Sequence, residues 1–180
     1  MARYAAICQS LGVVPIVEPE VLLDGDHTLE RCFEVTEAVQ HAVFHALHRH
    51  GVELEYIVLK PSMIVPGKAA QRKANPEEIA EKTVAQLRRS VPAAMPGINF
   101  LSGGQTPEEA TANLNAMNAM AGNAPWQLSF SYGRALQQPV LQAWQGQPEN
   151  SKVAQNALYK RAKLNGAARY GNYSAEMEKE

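Results

Sequence analysis

Apolar residues in this chain fall into two kinds of run, and the two alternate. The first kind is short and continuous. Val13-Val14-Pro15-Ile16-Val17 closes on Glu18, Tyr56-Ile57-Val58-Leu59 closes on Lys60, and Ile98-Asn99-Phe100-Leu101 closes on Ser102. Gln127-Leu128-Ser129-Phe130-Ser131-Tyr132 runs into Gly133 and Arg134. Compact runs rich in β-branched and aromatic residues are expected of buried parallel strands. The second kind is longer and periodic. From Asp26 to His50 the apolar positions Leu29, Phe33, Ala38, Val43 and Leu47 recur at helical spacing, and Gly51 follows as a stop. Two further helices open on Asn75-Pro76-Glu77-Glu78 and Thr106-Pro107-Glu108-Glu109. Each pairs a capping side chain with proline at the first helical position and a glutamate that can reach back to the cap. After the last strand the pattern continues as helix in two pieces, the second starting at Pro148, while Ala2 to Leu11 reads as a helix ending at Gly12.

The spacing sharpens this alternation. Glu18 to Lys60 is 42 residues, and so is Lys60 to Ser102. One strand and one helix per step builds a parallel sheet flanked by helices. A doubly wound sheet and a (β/α)8 barrel both fit. No G-x-G-x-x-G turn follows any strand, which counts against a dinucleotide-binding sheet. Only Met1 precedes the first helix, where a strand is expected. Four strands are half of what a closed barrel of about 250 residues needs. The pattern therefore reads as one domain over 1–180, the last four βα units of a barrel. Residues 1–12 would be the remnant of a preceding helix and 174–180 a disordered tail.

Composition adds limits. A net charge of −1 with 46% hydrophobic and 19% charged residues suits a globular domain. It gives no general attraction for nucleic acid or an anionic membrane, and no apolar run is long enough for a membrane span. Cys8 and Cys32 form no disulfide framework; two buried free thiols in a reducing, cytoplasmic setting are expected.

In parallel α/β folds the chemistry gathers where strands end, and all four strands here end in polar groups: Glu18, Lys60, Ser102 and Arg134. A lysine held against apolar walls is favoured as the neutral amine, which can attack a ketone and form an imine. The alternative is a lysine that ends a strand and reaches to solvent. Glu18 and Glu20 flank Pro19 and could move protons at such a site, or be solvated loop acids. Ser102-Gly103-Gly104 before a capped helix suits an anion, and Gly133-Arg134 adds a guanidinium for a phosphate. Tight turns use the same residues. His41, His45 and His48 share a helix face, yet no acid or cysteine on another strand end completes a metal site. The basic residues Lys68, Arg72 and Lys73 read as a solvated loop, or as a mobile basic loop beside an anionic substrate. Met117, Met120 and Leu114 read as a core stripe.

Several motifs then agree with one family. Val14-Pro15-Ile16-Val17-Glu18-Pro19-Glu20, Leu59-Lys60-Pro61-Ser62-Met63, Phe100-Leu101-Ser102-Gly103-Gly104-Gln105 and Ser131-Tyr132-Gly133-Arg134-Ala135-Leu136 resemble class I fructose-bisphosphate aldolases. So do Ala2-Arg3-Tyr4-Ala5, Val91-Pro92-Ala93 and Asn113-Leu114-Asn115-Ala116-Met117-Asn118, in the family's order from residue 2 to about 173. The resemblance implies a metal-independent lyase without a cofactor. It would reversibly cleave fructose 1,6-bisphosphate to glycerone phosphate and glyceraldehyde 3-phosphate through a covalent imine on Lys60. Glu18 matches the family's acid/base, Glu20 its neighbouring acid, and Ser102, Gly103, Gly133 and Arg134 its phosphate contacts. The family is tetrameric, so a homo-oligomer acting on a phosphorylated sugar is expected.

Two departures stand beside the match. The family's first four strands are not represented, including the acid that takes part in C–C cleavage and basic residues that serve catalysis and phosphate binding. The tyrosine-ended tail of animal members is also missing, and Met177-Glu178-Lys179-Glu180 looks more like bacterial members. Poor activity or self-association is therefore expected of these residues alone. The competing reading is a noncatalytic remnant that binds phosphate or a partner. A transaldolase-like Schiff-base lyase fits the motif order less well.

Overall fold

The computed structural model describes residues 1–179. Four parallel strands form one sheet: β1 (Ile16–Val17), β2 (Val58–Leu59), β3 (Gly97–Phe100) and β4 (Gln127–Phe130). Their spatial order is β1-β2-β3-β4, the order of the chain. A doubly wound sheet reverses its order at a switch point, whereas consecutive parallel strands with helices between them are the arrangement of a (β/α) barrel arc. The barrel alternative is the one realised.

The strands are shorter than the apolar runs, and Tyr56 belongs to a 3-10 turn (Leu54–Tyr56) before β2. A strand needs a partner's hydrogen bonds and not only an apolar run, and the first run is not buried as expected: Val13, Val14 and Ile16 are exposed at the edge of the sheet. Some pairing does extend past the formal ends. Lys60 N–H donates to the Val17 carbonyl at 2.7 Å, Leu101 N–H to Pro61 at 3.1 Å and Ser131 N–H to Phe100 at 2.8 Å. Val17, Leu59, Ile98, Phe100 and Leu128 are buried in one continuous core.

The helices are α1 (Ala2–Ser10), α2 (Leu29–Arg49), α3 (Pro76–Ser90), α4 (Pro107–Met120), α5 (Arg134–Trp144) and α6 (Ser151–Ala168). Asn75 and Thr106 each form a full capping box, with Glu78 and Glu109 as the returning side chains. In α2 the cap is Thr28, which accepts from Arg31 N–H, so the helix starts later than Asp26. Its buried face is Leu29, Cys32, Thr36, Gln40, Val43 and Leu47, and Ala38 is exposed. Thr36 and Gln40 replace the apolar positions expected there. On the facing helix, the Ser90 hydroxyl at 2.5 Å and the Gln86 amide at 3.0 Å both donate to the Gln40 side-chain oxygen.

Other expectations also shift. Cys32 is buried, but Cys8 is only half-buried. Leu114 and Met117 are core, but Met120 is 44% exposed. Of the expected disordered tail, Ala175–Lys179 form a 3-10 turn, and Glu180 lies outside the described residues. The turn is held by Glu178, whose carboxylate accepts two bonds from Arg161 at 2.7 and 2.8 Å. Arg161 is itself buried and also donates to Pro107 and Thr111.

One close approach fixes the loops above the sheet. The 23–27 loop and the 67–69 loop exchange three backbone bonds: Gly67 N–H to His27, Lys68 N–H to Leu23 and Ala69 N–H to Gly25, each 2.9 Å. A Cβ on Gly67 would lie 2.3 Å from the Gly25 carbonyl oxygen. Gly67→Ala is therefore expected to destabilise the chain by about 1–3 kcal/mol through overpacking. Gly166, inside α6 with open space around its Cβ position, should gain about 0.5–1 kcal/mol as alanine. Urea unfolding midpoints of the two variants should move in opposite directions.

Candidate active site at the strand ends

Glu18 and Lys60 follow β1 and β2 directly, and the parallel register brings them side by side. Val17 pairs with Leu59, and the next residues meet as an ion pair, Lys60 Nζ to Glu18 Oε1 at 3.0 Å. The lysine side chain is 20% exposed and the glutamate 45%, so the pair lies at the mouth with the amine end more enclosed. Glu20 is exposed on the same loop, and among the described residues no ion pair joins it to Lys60.

Ser62 ties this loop down, a role that the sequence reading missed. It is buried two residues after Lys60, where its hydroxyl accepts from Val21 N–H at 2.9 Å and donates to the Val21 carbonyl at 3.1 Å. The signal was a serine inside the apolar stretch Pro61–Val65, because a buried hydroxyl needs partners.

The second part of the site follows β3. Ser102 is buried, and Gly103 and Gly104 take φ values of +58° and +91°, where a side chain would be strained. The Gln105 amide donates to the Ser102 carbonyl at 3.0 Å, and Gln105 in turn accepts from Asn113 at 2.6 Å. The turn is thus built from its own supporting contacts. Gly133 is the residue before α5, and Arg134 is its first residue. Arg134 reaches over the glycine turn: Nη2 lies 3.7 Å from the place a Gly104 Cβ would occupy.

The structure separates the three basic loop residues. Lys68 Nζ also lies over Gly104, 2.9 Å from that same Cβ position. Arg72 is ion-paired to Glu78, and Lys73 donates to the Lys68 carbonyl at 2.7 Å. The loop that carries Lys68 is the one pinned by backbone bonds to residues 23–27. Beside it lies a cleft of about 460 Å3 lined by Leu23, Lys68, Gly104, Gln105, Asn113 and Tyr173 among others. His41, His45 and His48 are exposed on α2. Among the described residues no group of three His, Cys, Asp or Glu side chains is placed to hold a metal ion.

The comparisons decide which family uses this arrangement. The family model for class I fructose-bisphosphate aldolase, described as glycolytic, matches residues 1–180. The chain belongs to the class I fructose-bisphosphate aldolase family. Human fructose-bisphosphate aldolase C is 56% identical over 178 residues, 99% of this chain and 49% of that protein. The chloroplastic aldolase 3 of Arabidopsis thaliana is 56% identical over 180 residues, covering 100% of this chain and 46% of its own length. A crystallised Plasmodium falciparum aldolase, in complex with TRAP and a small-molecule inhibitor, superposes with a TM-score of 0.94 at 51% identity. That match covers 97% of this chain and 50% of the other. The chain thus spans about half the length of the aldolases it matches.

Three phenols and one thiol of the chain are perturbed. Burial pushes the Tyr132 hydroxyl, next to Gly133, far above the ordinary range, while Arg161 pulls the other way; it donates to the Ala110 carbonyl at 2.8 Å. Burial, then its bond to Glu178, raises Tyr173 to about 12. Tyr4, which donates to the Ile16 carbonyl, is raised by burial and then by Cys8 and Glu18. Burial also raises the Cys32 thiol.

Two expectations follow. Ser62→Ala leaves both Val21 backbone groups without that partner and should cost about 1–2 kcal/mol in urea unfolding. A raised tyrosine pKa gives stability that is present below pH 10 and lost as pH rises through the folded value. The chain should therefore lose stability between pH 10 and about 12. Tyr132→Phe combined with Tyr173→Phe should flatten that alkaline slope in thermal melts taken from pH 9 to 12.

Proposed function

We propose that the chain carries the imine-forming half of an aldolase site acting on fructose 1,6-bisphosphate. The observation that carries this is the Lys60–Glu18 pair at 3.0 Å, set at the ends of adjacent parallel strands in a family of Schiff-base aldolases. Glu18 takes a proton from the Lys60 ammonium, and the free amine adds to the C2 ketone. The resulting carbinolamine loses water as Glu18 returns a proton to the leaving hydroxyl, leaving an iminium. The iminium then accepts the electron pair of the breaking C3–C4 bond. One product leaves as glyceraldehyde 3-phosphate. The enamine that remains is protonated at C3 and hydrolysed to glycerone phosphate, which restores Lys60. The base for the C4 hydroxyl proton is expected from the family's first strand, which this chain does not cover. Glu20 is assigned as the neighbouring acid on the β1 loop.

Ser102, Gly103, Gly133 and Arg134 hold a substrate phosphate in this reading. A glycine turn lets backbone N–H groups approach an anion, and a guanidinium can grip it with two donors. No metal is needed, since the iminium serves as the electron sink. A homo-oligomer belongs to the same reading. It is supported by β1 lying at an edge of the sheet and by the exposed apolar residues Ile7, Leu11, Val13, Val14 and Ile16 around it. The cytosolic aldolase 4 of Arabidopsis thaliana, 54% identical, supports a cytoplasmic location.

Borohydride reduction in the presence of glycerone phosphate tests the imine directly. The folded chain should gain one reduced adduct, located on Lys60 by peptide mass mapping, and Lys60→Arg should gain none. A folded chain without an adduct would overturn the imine reading and favour a noncatalytic phosphate-binding module.

A further inference from the structure

We propose that Lys68 is a second cation of the phosphate grip and makes it selective for a dianionic phosphate ester. This deepens the reading of Ser102, Gly103, Gly133 and Arg134 as the phosphate site and rests on it. Three observations converge. Lys68 Nζ and Arg134 Nη2 approach the same point above Gly104, from the loop after β2 and from the start of α5. The Gly104 backbone (φ +91°) and its missing side chain leave that point open; any Cβ there would collide with the Lys68 Nζ and Cε atoms at 2.9 and 3.0 Å. The ammonium is also placed by a built loop: Lys68 N–H is bonded to Leu23, its carbonyl accepts from Lys73, and Gly67 and Ala69 are bonded to residues 27 and 25.

Lys68 is held in waiting by Asp24, with Nζ to Oδ1 at 3.3 Å and both side chains largely open to solvent. A phosphate seated on the glycine turn beside Arg134 offers a stronger acceptor than this exposed carboxylate. Two cations around one ligand match a double negative charge better than a single one. Asp24 is a competing acceptor here: it holds the ammonium until a phosphate displaces it, and it does not touch the ligand.

The test uses the full 180-residue chain with Lys60→Met, so that only noncovalent contacts are read. Glycerone phosphate is titrated against the 15N-labelled protein, following the Gly103 and Gly104 amides. Lys68→Met should weaken binding about tenfold at pH 7.5. Lys68→Arg should stay within about threefold. The loss should shrink at pH 5, where the phosphate is a monoanion. Asp24→Asn should tighten binding, and this gain should be lost on the Lys68→Met background. If the Lys68–Asp24 pair merely held the loop, both single variants would weaken binding alike, and that result overturns the proposal. Unchanged binding in Lys68→Met with binding lost in Arg134→Ala removes Lys68 and leaves the phosphate site standing. Unchanged binding in both removes the phosphate reading of the turn and the proposal with it.

Discussion

Everything at the mouth of this half barrel depends on the parallel register of its strands. Val17 is opposite Leu59, Leu59 opposite Ile98, and Phe100 opposite Phe130. Because side chains alternate along a strand, a slip of one residue in any pair would turn the buried residues outward and the strand-end groups away from each other. The core side chains Val17, Leu59, Ile98 and Phe100 are fully buried, so such a slip would expose large apolar surfaces. The Lys60–Glu18 contact is therefore a consequence of core packing several residues below it. The ion pair, partly open to water, adds little to stability by itself.

A register fixes where strands end, but loops decide what the ends present. Here the loops after β1 and β2 are tied to each other, and the turn after β3 meets the first of them. Ser62, after β2, clamps Val21 after β1. The Gly67 loop is bonded to the Gly25 loop through backbone atoms close enough to exclude any side chain. Leu23 packs over Gly103, with its Cγ 3.7 Å from the Cβ position there. Three successive strand-end loops thus form one connected rim. Preorganisation of this kind matters for catalysis because small displacements of a reacting or binding group cost rate steeply.

Much of this was legible in the sequence, for definite physical reasons. A parallel strand writes a continuous apolar run, so the polar residue that ends it is conspicuous; Glu18, Lys60 and Ser102 were found that way, although Val13, Val14 and Ile16 of the first run are exposed at the edge of the sheet. Capping boxes are local chemistry, and Asn75 and Thr106 are where the pattern puts them. The buried face of α2 was misread because Thr36 and Gln40 are polar; the Gln40 side-chain oxygen is met across the seam with α3 by Gln86 and Ser90, and Thr36 lies against Cys32 within the helix. Apolar periodicity cannot register a helix face whose partners are hydrogen bonds. The C-terminal turn was misread because its charged residues look solvated until Arg161, far upstream and buried, is known to pair with Glu178. Lys68 was read as a loop cation because its position depends on Gly67 meeting Gly25, a contact between residues 42 apart that no local pattern encodes.

The two rim lysines share one arrangement. The two lysines proposed to meet substrate are each paired with an acid from the loop after β1: Lys60 with Glu18 and Lys68 with Asp24. One short segment thereby neutralises both sites before substrate arrives, which limits the repulsion between cations gathered at one mouth. The partnerships differ in what they permit. In the proposed imine chemistry Glu18 exchanges protons with the lysine it holds, whose side chain is only 20% exposed. Asp24 is 74% exposed and sits on a longer, more hydrated contact, so it can yield its lysine to an incoming phosphate without leaving a buried charge behind. On the proposed reading the same loop supplies a partner that takes part in the chemistry and a partner that gives way to the ligand, and the difference between them lies in depth of burial.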